Sequence, residues 1–238
     1  MQKKPFGRIA KFIAESGVCS RREAERVIAQ GRVKLAGQVV QSPALNVSLD
    51  DVVEVDGKVV KPVEKPRLWL YYKPAGLITT HNDPQKRPTV FEALKNYLPR
   101  VISIGRLDLN SEGLLLLTNN GMLARKFELP ESKIERVYKV RAHGNPSGLI
   151  KYFAKTHILK IDDITYNIKK IKLISEGSSN SWFEITLAEG KNREIRKIFE
   201  HFTLKVNRLI RTQYGDYKLG DLKVGEFQEV SIVSYLTP

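Results

Sequence analysis

The chain has 238 residues, enough for one or two domains, and its 42% hydrophobic and 28% charged residues are ordinary for a soluble globular protein. Forty Lys and Arg against 26 Asp and Glu give a net charge of +14, which indicates a polyanionic partner, either nucleic acid or an anionic membrane surface. The longest aliphatic run, Leu114–Leu117, is too short to span a membrane, and no apolar stretch near the start resembles a secretory signal. The single cysteine, Cys19, and four scattered histidines predict neither a disulfide nor a structural metal, and they are typical of a cytoplasmic protein.

The beginning of the chain is strongly basic and predicts two short helices. Its first 35 residues hold nine Lys or Arg and three acids. Ile9, Phe12 and Ile13 have the spacing of an apolar helical stripe. Ser20 and Glu23 form a capping box for a second helix, with the serine accepting a hydrogen bond and the glutamate reaching back. The basic face of this second helix is predicted to meet an anion.

Two hairpins follow, with turns at Ala36-Gly37 and Asp56-Gly57. The stretch 62–66 contains two prolines and little apolar content, so we interpret it as a linker. The sequence therefore predicts a small domain over residues 6–61, the linker over 62–66 and a larger domain over 67–238.

The larger domain is predicted to contain more strand than helix. Strands are predicted at 67–72, 101–104, 114–118, 137–143, 182–187, 206–213 and 227–233, and helices between Thr89 and Pro99 and at 122–129, 146–155 and 192–202. Grouped strands with few helices between them favour an α+β fold, with a mixed and mainly antiparallel sheet, over a doubly wound parallel one.

The loop Gly105–Gly113 is the first place where chemistry is indicated. Sequence signatures for nucleotide hydrolysis, hydride transfer and zinc-dependent hydrolysis are absent from the chain. The loop joins two predicted strands and places Asp108 two residues after Arg106. A carboxylate that is desolvated and kept ionised by a neighbouring cation can act as a nucleophile or a base.

Two other interpretations of this loop stay open on residue type alone. Asp108 could simply cap the turn, with Arg106 as a surface charge. Asp108 and Glu112 could also be paired carboxylates, as in a glycosidase, although such pairs must lie about 5–9 Å apart across a sugar.

A second cluster, Glu189–Lys197, reads as a loop that enters a helix and carries four cations within seven residues. Cations at a helix N-terminus suit phosphate binding, because orphan N–H groups and arginine forks point at the same ligand. Arg193 and Lys197 are four residues apart and therefore share a helix face. The alternative to phosphate binding is that the cluster is simply a basic helix end exposed to solvent. Tyr138, on a predicted strand, is by itself explained by core packing.

At the level of whole motifs the chain resembles a known family. Residues 8–40 resemble the S4 RNA-binding module, and residues 67–233 resemble the catalytic domain of the RsuA, RluB, RluE and RluF group of bacterial ribosomal RNA pseudouridine synthases. The motifs are YYKPAGLITT, GRLDLNSEGLLLLTNNG, ERVYKV and EGKNREIRKIFEHF, in the family's order. The stretches DPQKRPTVF and VNRLIRTQYGD are similar to the RluB branch, which acts on large-subunit RNA.

This resemblance implies roles for individual residues. Asp108 would be the essential aspartate, Tyr138 the active-site tyrosine and Arg196 the basic partner of the aspartate. Ile195 matches the apolar residue beside that partner, and Arg106 matches the position that fills the gap left by an extruded base. Candidate phosphate contacts in the catalytic domain are Lys73, Arg193 and Lys197. The candidate RNA contacts of the S4-like module are Arg8, Lys11, Arg21, Arg22, Arg26 and Lys34.

The predicted function is the isomerisation of uridine to pseudouridine in ribosomal RNA by base flipping, with the 23S RNA as substrate, either free or in an assembly intermediate. No cofactor, metal or membrane is expected, and a cytoplasmic monomer is predicted. Two alternatives remain: the same reaction at another ribosomal site, including 16S RNA, and a non-enzymatic RNA-binding or ribosome-assembly protein.

Overall fold

The computed structural model describes residues 5–62 and 65–233, in which short helices lie between long runs of strand. The predicted α+β class is confirmed. One compact unit contains the described residues up to Arg67 together with Lys95–Ile102 and Thr118–Gly121. The other contains Leu68–Leu94, Ser103–Leu117 and the described residues from Met122 onward. The first unit thus includes two segments that the sequence analysis assigned to the larger domain, while residues 63 and 64 of the predicted linker and 234–238 of that domain lie outside the described residues.

The first unit begins with the two predicted helices, α1 (Ile9–Glu15) and α2 (Arg21–Ala29). The hydroxyl oxygen of Ser20 accepts a hydrogen bond from the backbone N–H of Glu23 at 3.1 Å, as a capping box requires. The reciprocal bond differs from the prediction, because the Glu23 carboxylate pairs with Arg26 one turn further along. The apolar face of each helix is buried in the core of this unit.

Short strands complete the first unit: β1 (Pro5–Arg8), β2 (Val33–Leu35), β3 (Gln38–Val39), β4 (Asn46–Ser48), β5 (Val53–Val55) and β6 (Lys58–Val60). Strands β3, β2, β5 and β6 form an antiparallel sheet in that order, and β1 pairs with β4. Both predicted hairpins are present. Their turn residues, Ala36-Gly37 and Asp56-Gly57, all have positive φ angles, the conformation that two-residue hairpin turns need.

Ten strands of the described residues form one sheet, which belongs to the second unit apart from Ile102 and Thr118 at two strand ends. They are β7 (Leu68–Lys73), β8 (Ile102–Ile104), β9 (Glu112–Thr118), β10 (Arg136–His143), β11 (Ile158–Ile161), β12 (Ile164–Glu176), β13 (Asn180–Leu187), β14 (Lys205–Tyr214), β15 (Tyr217–Lys218) and β16 (Phe227–Val230). The main path runs β11-β12-β13-β10-β14-β9-β7-β16, with β8 beside β9 and β15 beside β14. Strand β9 joins β14 in parallel, whereas β14, β10, β13, β12 and β11 are antiparallel neighbours.

Helices of the second unit are short: α3 (Val90–Leu94), α4 (Gly121–Glu128), α5 (Ser147–Phe153) and α6 (Glu194–His201). The predicted capping box of α3 is present, since Thr89 and Glu92 exchange hydrogen bonds of 3.0 and 3.1 Å. Helices α5 and α6 pack on one face of the sheet, where the ring of Phe199 meets that of Phe183 at 5.1 Å. No helix within residues 5–62 and 65–233 is both long enough and apolar enough to cross a membrane.

Strands β11 and β12 were not predicted. The isoleucines of β12 at positions 164, 168, 171 and 174 are spaced by four and three residues, which is closer to a helical than to a strand period. The pairing of β12 with β13 shifts register at Ile168–Lys170 and at Leu173–Ser175, and each shift moves the following side chains to the other face. These irregularities remove the simple alternation by which a strand is recognised.

Gly113 determines how closely β9 can approach β14. Its φ of +101° is unfavourable for other residues, and a Cβ atom at this position would lie 2.8 Å from the backbone nitrogen of Arg211 and closer still to its carbonyl oxygen. Only glycine therefore permits the parallel pairing that places Gly113 beside Arg211.

We expect Gly113→Ala to lower the free energy of unfolding of the second unit by about 1–3 kcal/mol or more, because backbone must move to relieve the clash. Urea denaturation followed by the fluorescence of Trp69 and Trp182, both in this unit, measures the loss. Gly121→Ala is the control, because its nearest neighbour would lie at 4.0 Å, and it should change the free energy little. Equal stability of the two variants would contradict this account.

Candidate active site

The loop that carries Asp108 lies between β8 and β9, and its backbone is held by the segment that follows β7. The carbonyl oxygen of Leu107 accepts a hydrogen bond from the Thr79 hydroxyl at 3.0 Å. The carbonyl oxygen of Leu109 accepts another from the backbone N–H of Gly76 at 2.8 Å. These bonds fix the residues on both sides of Asp108 and leave its half-buried side chain between them.

A tight turn completes the loop. The carbonyl oxygen of Asp108 accepts a hydrogen bond from the backbone N–H of Ser111 at 3.0 Å. The chain then enters β9 at Glu112, so Asp108 lies just before the N-terminal end of β9, where this strand pairs with β14. The bonds of this turn involve the backbone of Asp108. Among the residues that the structure describes, no hydrogen bond or ion pair occupies its carboxylate.

Arg196, on the first turn of α6, reaches this loop. Its guanidinium donates hydrogen bonds to the carbonyl oxygens of Asn110 at 2.9 Å and Val206 at 3.2 Å, and so links α6 to the loop and to β14. Burial lowers the pKa of Arg196 and the like charge of Arg193 adds to this, whereas the negative charge of Asp108 opposes it. Between Arg196 and Asp108 the structure therefore shows an electrostatic interaction rather than a direct ion pair.

Lys73 differs from its predicted role. We predicted a phosphate contact, but the side chain is 0% exposed and its ammonium donates to the carbonyl oxygens of Pro74 at 2.9 Å and Ser111 at 2.8 Å. Burial lowers its pKa to about 8, whereas the charges of Asp108 and Glu112 favour the protonated form. A cation in this position cannot reach an RNA phosphate at the surface. It instead holds the Asp108 loop through its hydrogen bond to the carbonyl oxygen of Ser111.

Tyr138 lies on β10 and is half-buried, with part of its ring against the core of the second unit. The sheet register places it opposite Arg211 on β14, which in turn lies opposite Gly113 on β9. At the usual strand spacing, Tyr138 is about 10 Å from the backbone at the start of β9. Residue type and spacing gave no reason to connect this tyrosine with the Asp108 loop, and only the family motifs did so, whereas the sheet register provides a structural connection.

The remaining predicted substrate contacts of this unit lie in different environments. Arg106 and Arg193 are exposed and Lys197 is half-buried. Arg193 immediately precedes α6 in a left-handed conformation, with a φ of 51°. Ile195 is 4% exposed and belongs to the core, so in this structure it anchors α6 and does not present a surface to a base.

The structure also corrects the paired-carboxylate interpretation of Glu112. Arg208 binds the Glu112 carboxylate through two nitrogens, at 2.6 and 3.0 Å, and the hydroxyl of Tyr72 donates to it at 3.3 Å. The hydrogen bonds from Arg208 lower the pKa of Glu112, although burial opposes this effect. Glu112 is therefore held ionised in a structural network and cannot serve as the protonated acid of a glycosidase pair.

Arg211 is a further residue that sequence reasoning did not identify. It is 3% exposed, donates through Nε to the carbonyl oxygen of Leu114 at 2.7 Å, and lies 5.1 Å from the centre of the Tyr214 ring. Its charge also reaches the ammonium of Lys73. An arginine in a strand pattern is normally interpreted as a surface residue, so the only available signal was its central place in a hydrophobic strand.

In the first unit, some of the predicted RNA contacts come together. Arg8, Lys11 and Arg21 line one shallow pocket together with Glu25. The other predicted cations, which do not line this pocket, are exposed: Arg22, Arg26 and Lys34. The unit thus presents a cluster of cations at one pocket and further positive charges elsewhere on its surface.

Comparisons with known proteins agree on the family. Residues 67–201 match the family of RNA pseudouridylate synthases, and residues 7–53 match the S4 domain. An uncharacterized RNA pseudouridine synthase of Rickettsia prowazekii is 61% identical over 94% of each chain. The ribosomal large subunit pseudouridine synthase B of Pasteurella multocida is 37% identical over 96% of this chain and 69% of its own length. A crystal structure of a pseudouridylate synthase superposes with a TM-score of 0.63 at 26% identity, covering 95% of this chain and 96% of that one.

The match to the catalytic family spans more than half of the chain and contains Asp108, Tyr138 and Arg196. The relatives also cover nearly all of the sequence, from the S4 domain to the last strands. The resemblance found in the motifs is thereby confirmed. The chain belongs to the RNA pseudouridine synthases of the family that includes RluB, and it carries an N-terminal S4 domain.

Proposed function

We propose that this pseudouridine synthase modifies 23S ribosomal RNA and that the Asp108 carboxylate begins the reaction. The observation that carries the assignment of Asp108 is its electrostatic environment. Lys73 and Arg196 both act on the carboxylate through their charge, yet both give their hydrogen bonds to backbone carbonyl groups. The carboxylate thus interacts electrostatically with two cations and remains available to a substrate.

The reaction itself moves a base and needs no added group. The N1–C1′ bond of uridine breaks, the base rotates, C5 bonds to C1′, a proton leaves C5 and N1 acquires one. Asp108 starts this sequence by attacking C1′, by attacking the ring or by removing a sugar proton. Because the target atoms are covered while the base is stacked, the nucleotide must first be flipped out, at a cost of a few kcal/mol.

Neighbouring residues have distinct roles in this proposal. The exposed part of Tyr138 stacks on the flipped base and assists removal of the C5 proton. Arg106 fills the gap that the base leaves, and Arg193 and Lys197 contact phosphates beside the site. Arg196 interacts with the charge of Asp108 and fixes the loop through Asn110.

The S4 domain supplies affinity through its cations. Phosphate contacts position a protein on RNA but carry little sequence information, so the choice of uridine belongs to the catalytic domain. The relatives named as large-subunit enzymes support 23S RNA as the substrate. Since base flipping needs an accessible nucleotide, the substrate form is free 23S RNA or an assembly intermediate.

Asp108→Asn tests the assignment of the carboxylate. Because the amide is neutral, we expect the release of tritium from C5-labelled uridine in RNA to fall by at least about a thousandfold, the scale seen when a reacting group is removed. RNA affinity should stay within about twofold, since the loop keeps its backbone bonds. Asp163→Asn, an exposed aspartate of the same unit, is the control and should retain full activity. Turnover by Asp108→Asn at the wild-type rate would reject the assignment.

The substrate is tested by mapping pseudouridines in ribosomal RNA from cells that lack this protein. We expect one or more sites of the 23S RNA to lose the modification and to regain it when the wild-type gene, but not Asp108→Asn, is restored. Loss confined to 16S RNA would assign the same chemistry to the small subunit. An unchanged map would contradict a role in ribosomal RNA.

The pocket of the S4 domain generates a salt-dependence prediction. Each phosphate contact that is lost should reduce the slope of log K against log salt by about 0.7–0.9. Arg8→Gln combined with Arg21→Gln should therefore flatten the slope by about 1.4–1.8. Titrations of RNA binding at several salt concentrations measure the slope, and Lys58→Gln combined with Lys61→Gln serves as a control at exposed lysines outside the pocket. An equal effect of both double variants would show that the pocket has no special role.

A further inference from the structure

Two glutamates meet at the start of α6, the helix that carries Arg196. Glu194 is the first residue of α6 and is 4% exposed. One oxygen of its carboxyl group, Oε2, accepts a hydrogen bond from the backbone N–H of Lys191 at 3.1 Å. The other, Oε1, is buried and has no partner within the described residues as long as the group is ionised.

Glu189, in the loop between β13 and α6, lies against this carboxyl group. Its Oε1 accepts a hydrogen bond from the backbone N–H of Asn167 at 2.9 Å, and its Oε2 pairs with the ammonium of Lys191. Both carboxyl groups contact Lys191, one at its backbone N–H and the other at its ammonium, and the two interact with each other. Two ionised carboxylates have no proton to donate, so a hydrogen bond between them requires that one of them be protonated.

The surroundings decide which glutamate holds the proton. Burial raises the pKa of Glu194 to about 8, and the negative charge of Glu189 acts in the same direction. Burial would also raise the pKa of Glu189, but the hydrogen bonds from Lys191 and Asn167 outweigh it and lower that pKa. Glu194 is therefore the member of the pair that holds a proton, which a buried carboxyl oxygen without a partner also favours.

The other groups around the pair come from the loop and from β12. Lys191 is the cation that faces both glutamates, and its ammonium also donates to the carbonyl oxygen of Thr165 at 2.7 Å. The ring of Tyr166, 5.9 Å from that ammonium, is the titratable group that β12 contributes. Ile198, one turn along α6 from Glu194, and Ile195 enter the apolar core beside this group.

We propose that Glu194 is a positioning residue, which shares a proton with Glu189 and thereby holds the first turn of α6, with Arg196, against the Asp108 loop. Arg196 follows Glu194 by two residues and donates to Asn110 in that loop. Loss of the shared proton places two like charges in one buried site with a single lysine between them, which favours separation of the helix start from Glu189. The role given to Arg196 rests on the proposed function, whereas the shared proton does not.

The stability consequence has a definite sign. A carboxyl group whose pKa is raised by folding contributes stability that is fully present below its ordinary value of 4.5 and is lost as the pH rises through about 8. We expect the free energy of unfolding of the wild type to fall between about pH 5 and pH 9. Glu194→Gln, which is neutral and can still donate to Glu189, should lack this fall. Glu200→Gln changes an exposed glutamate of the same helix and should follow the wild type.

Activity provides the readout that distinguishes positioning from stability alone. For each variant we compare the single-turnover rate at pH 9 with the rate at pH 7. The fraction of protonated Glu194 falls about tenfold over this range, so the pH 9 to pH 7 ratio should be about tenfold lower for the wild type and for Glu200→Gln than for Glu194→Gln. RNA binding measured at both pH values separates an effect on the reaction from an effect on affinity.

Carbon-13 NMR of the glutamate carboxyl groups in the wild type keeps the test valid if Glu194→Gln fails to fold. We expect one glutamate carboxyl resonance to titrate near pH 8. Absence of any carboxyl titration above about pH 6 would overturn the shared proton. A parallel loss of stability in Glu194→Gln and the wild type would overturn it as well.

A change in the stability profile without a change in the rate ratio would reject the positioning role. Retained turnover by Asp108→Asn would instead remove the proposed function, and the NMR and stability measurements would still report on the proton. The two proposals therefore fail on different measurements.

Discussion

The structure of the candidate site depends on one buried and one half-buried cation, Lys73 and Arg196, whose hydrogen bonds and charge act on different partners. Lys73 and Arg196 donate to the carbonyl groups of Ser111 and Asn110, which fixes the backbone of the loop. Their positive charges act at the same time on the carboxylate of Asp108. Because both cations bind the backbone, they hold the loop and leave the Asp108 carboxylate without a direct partner among the described residues.

The sheet brings the parts of this site together although they are far apart in the sequence. The parallel pairing of β9 with β14 sets the Asp108 loop beside the strand that carries Arg208 and Arg211. The antiparallel pairing of β14 with β10 then adds Tyr138. Since the approach of β9 to β14 leaves no room for a side chain at position 113, the absence of one methyl group is a condition for the whole arrangement.

Much of the fold could be predicted because its signals are local. The turn residues at Asp56-Gly57 and the capping box at Thr89 each determine the structure of their own neighbours, and both are present in the structure. The unpredicted strand β12 is a different case, because its bulges break the alternation that identifies a strand. Here the pairing with β13, which is a property of the sheet, decides the conformation.

The candidate site was only partly accessible to sequence reasoning. The motifs identify Asp108 and Arg196, but residue type and spacing do not reveal burial. Lys73 was therefore predicted to contact phosphate, whereas its side chain is fully buried and binds the backbone of the loop. Glu112 was considered as one acid of a glycosidase pair, but Arg208, 96 residues further along the chain, binds its carboxylate. Such long-range partners determine the charge state of a residue, and they are visible only once the strands have been placed.

The composition of the first compact unit has a consequence for how the protein can be divided. Lys95–Ile102 and Thr118–Gly121 belong to this unit although they follow it in the sequence, and the side chain of Asn119 accepts a hydrogen bond from the backbone N–H of Arg67 at 2.8 Å. Severing the chain after the S4 sequence would separate these segments from the body to which they contribute. The RNA-binding and catalytic parts are thus successive in their motifs, but the segments that build the two compact units alternate along the chain.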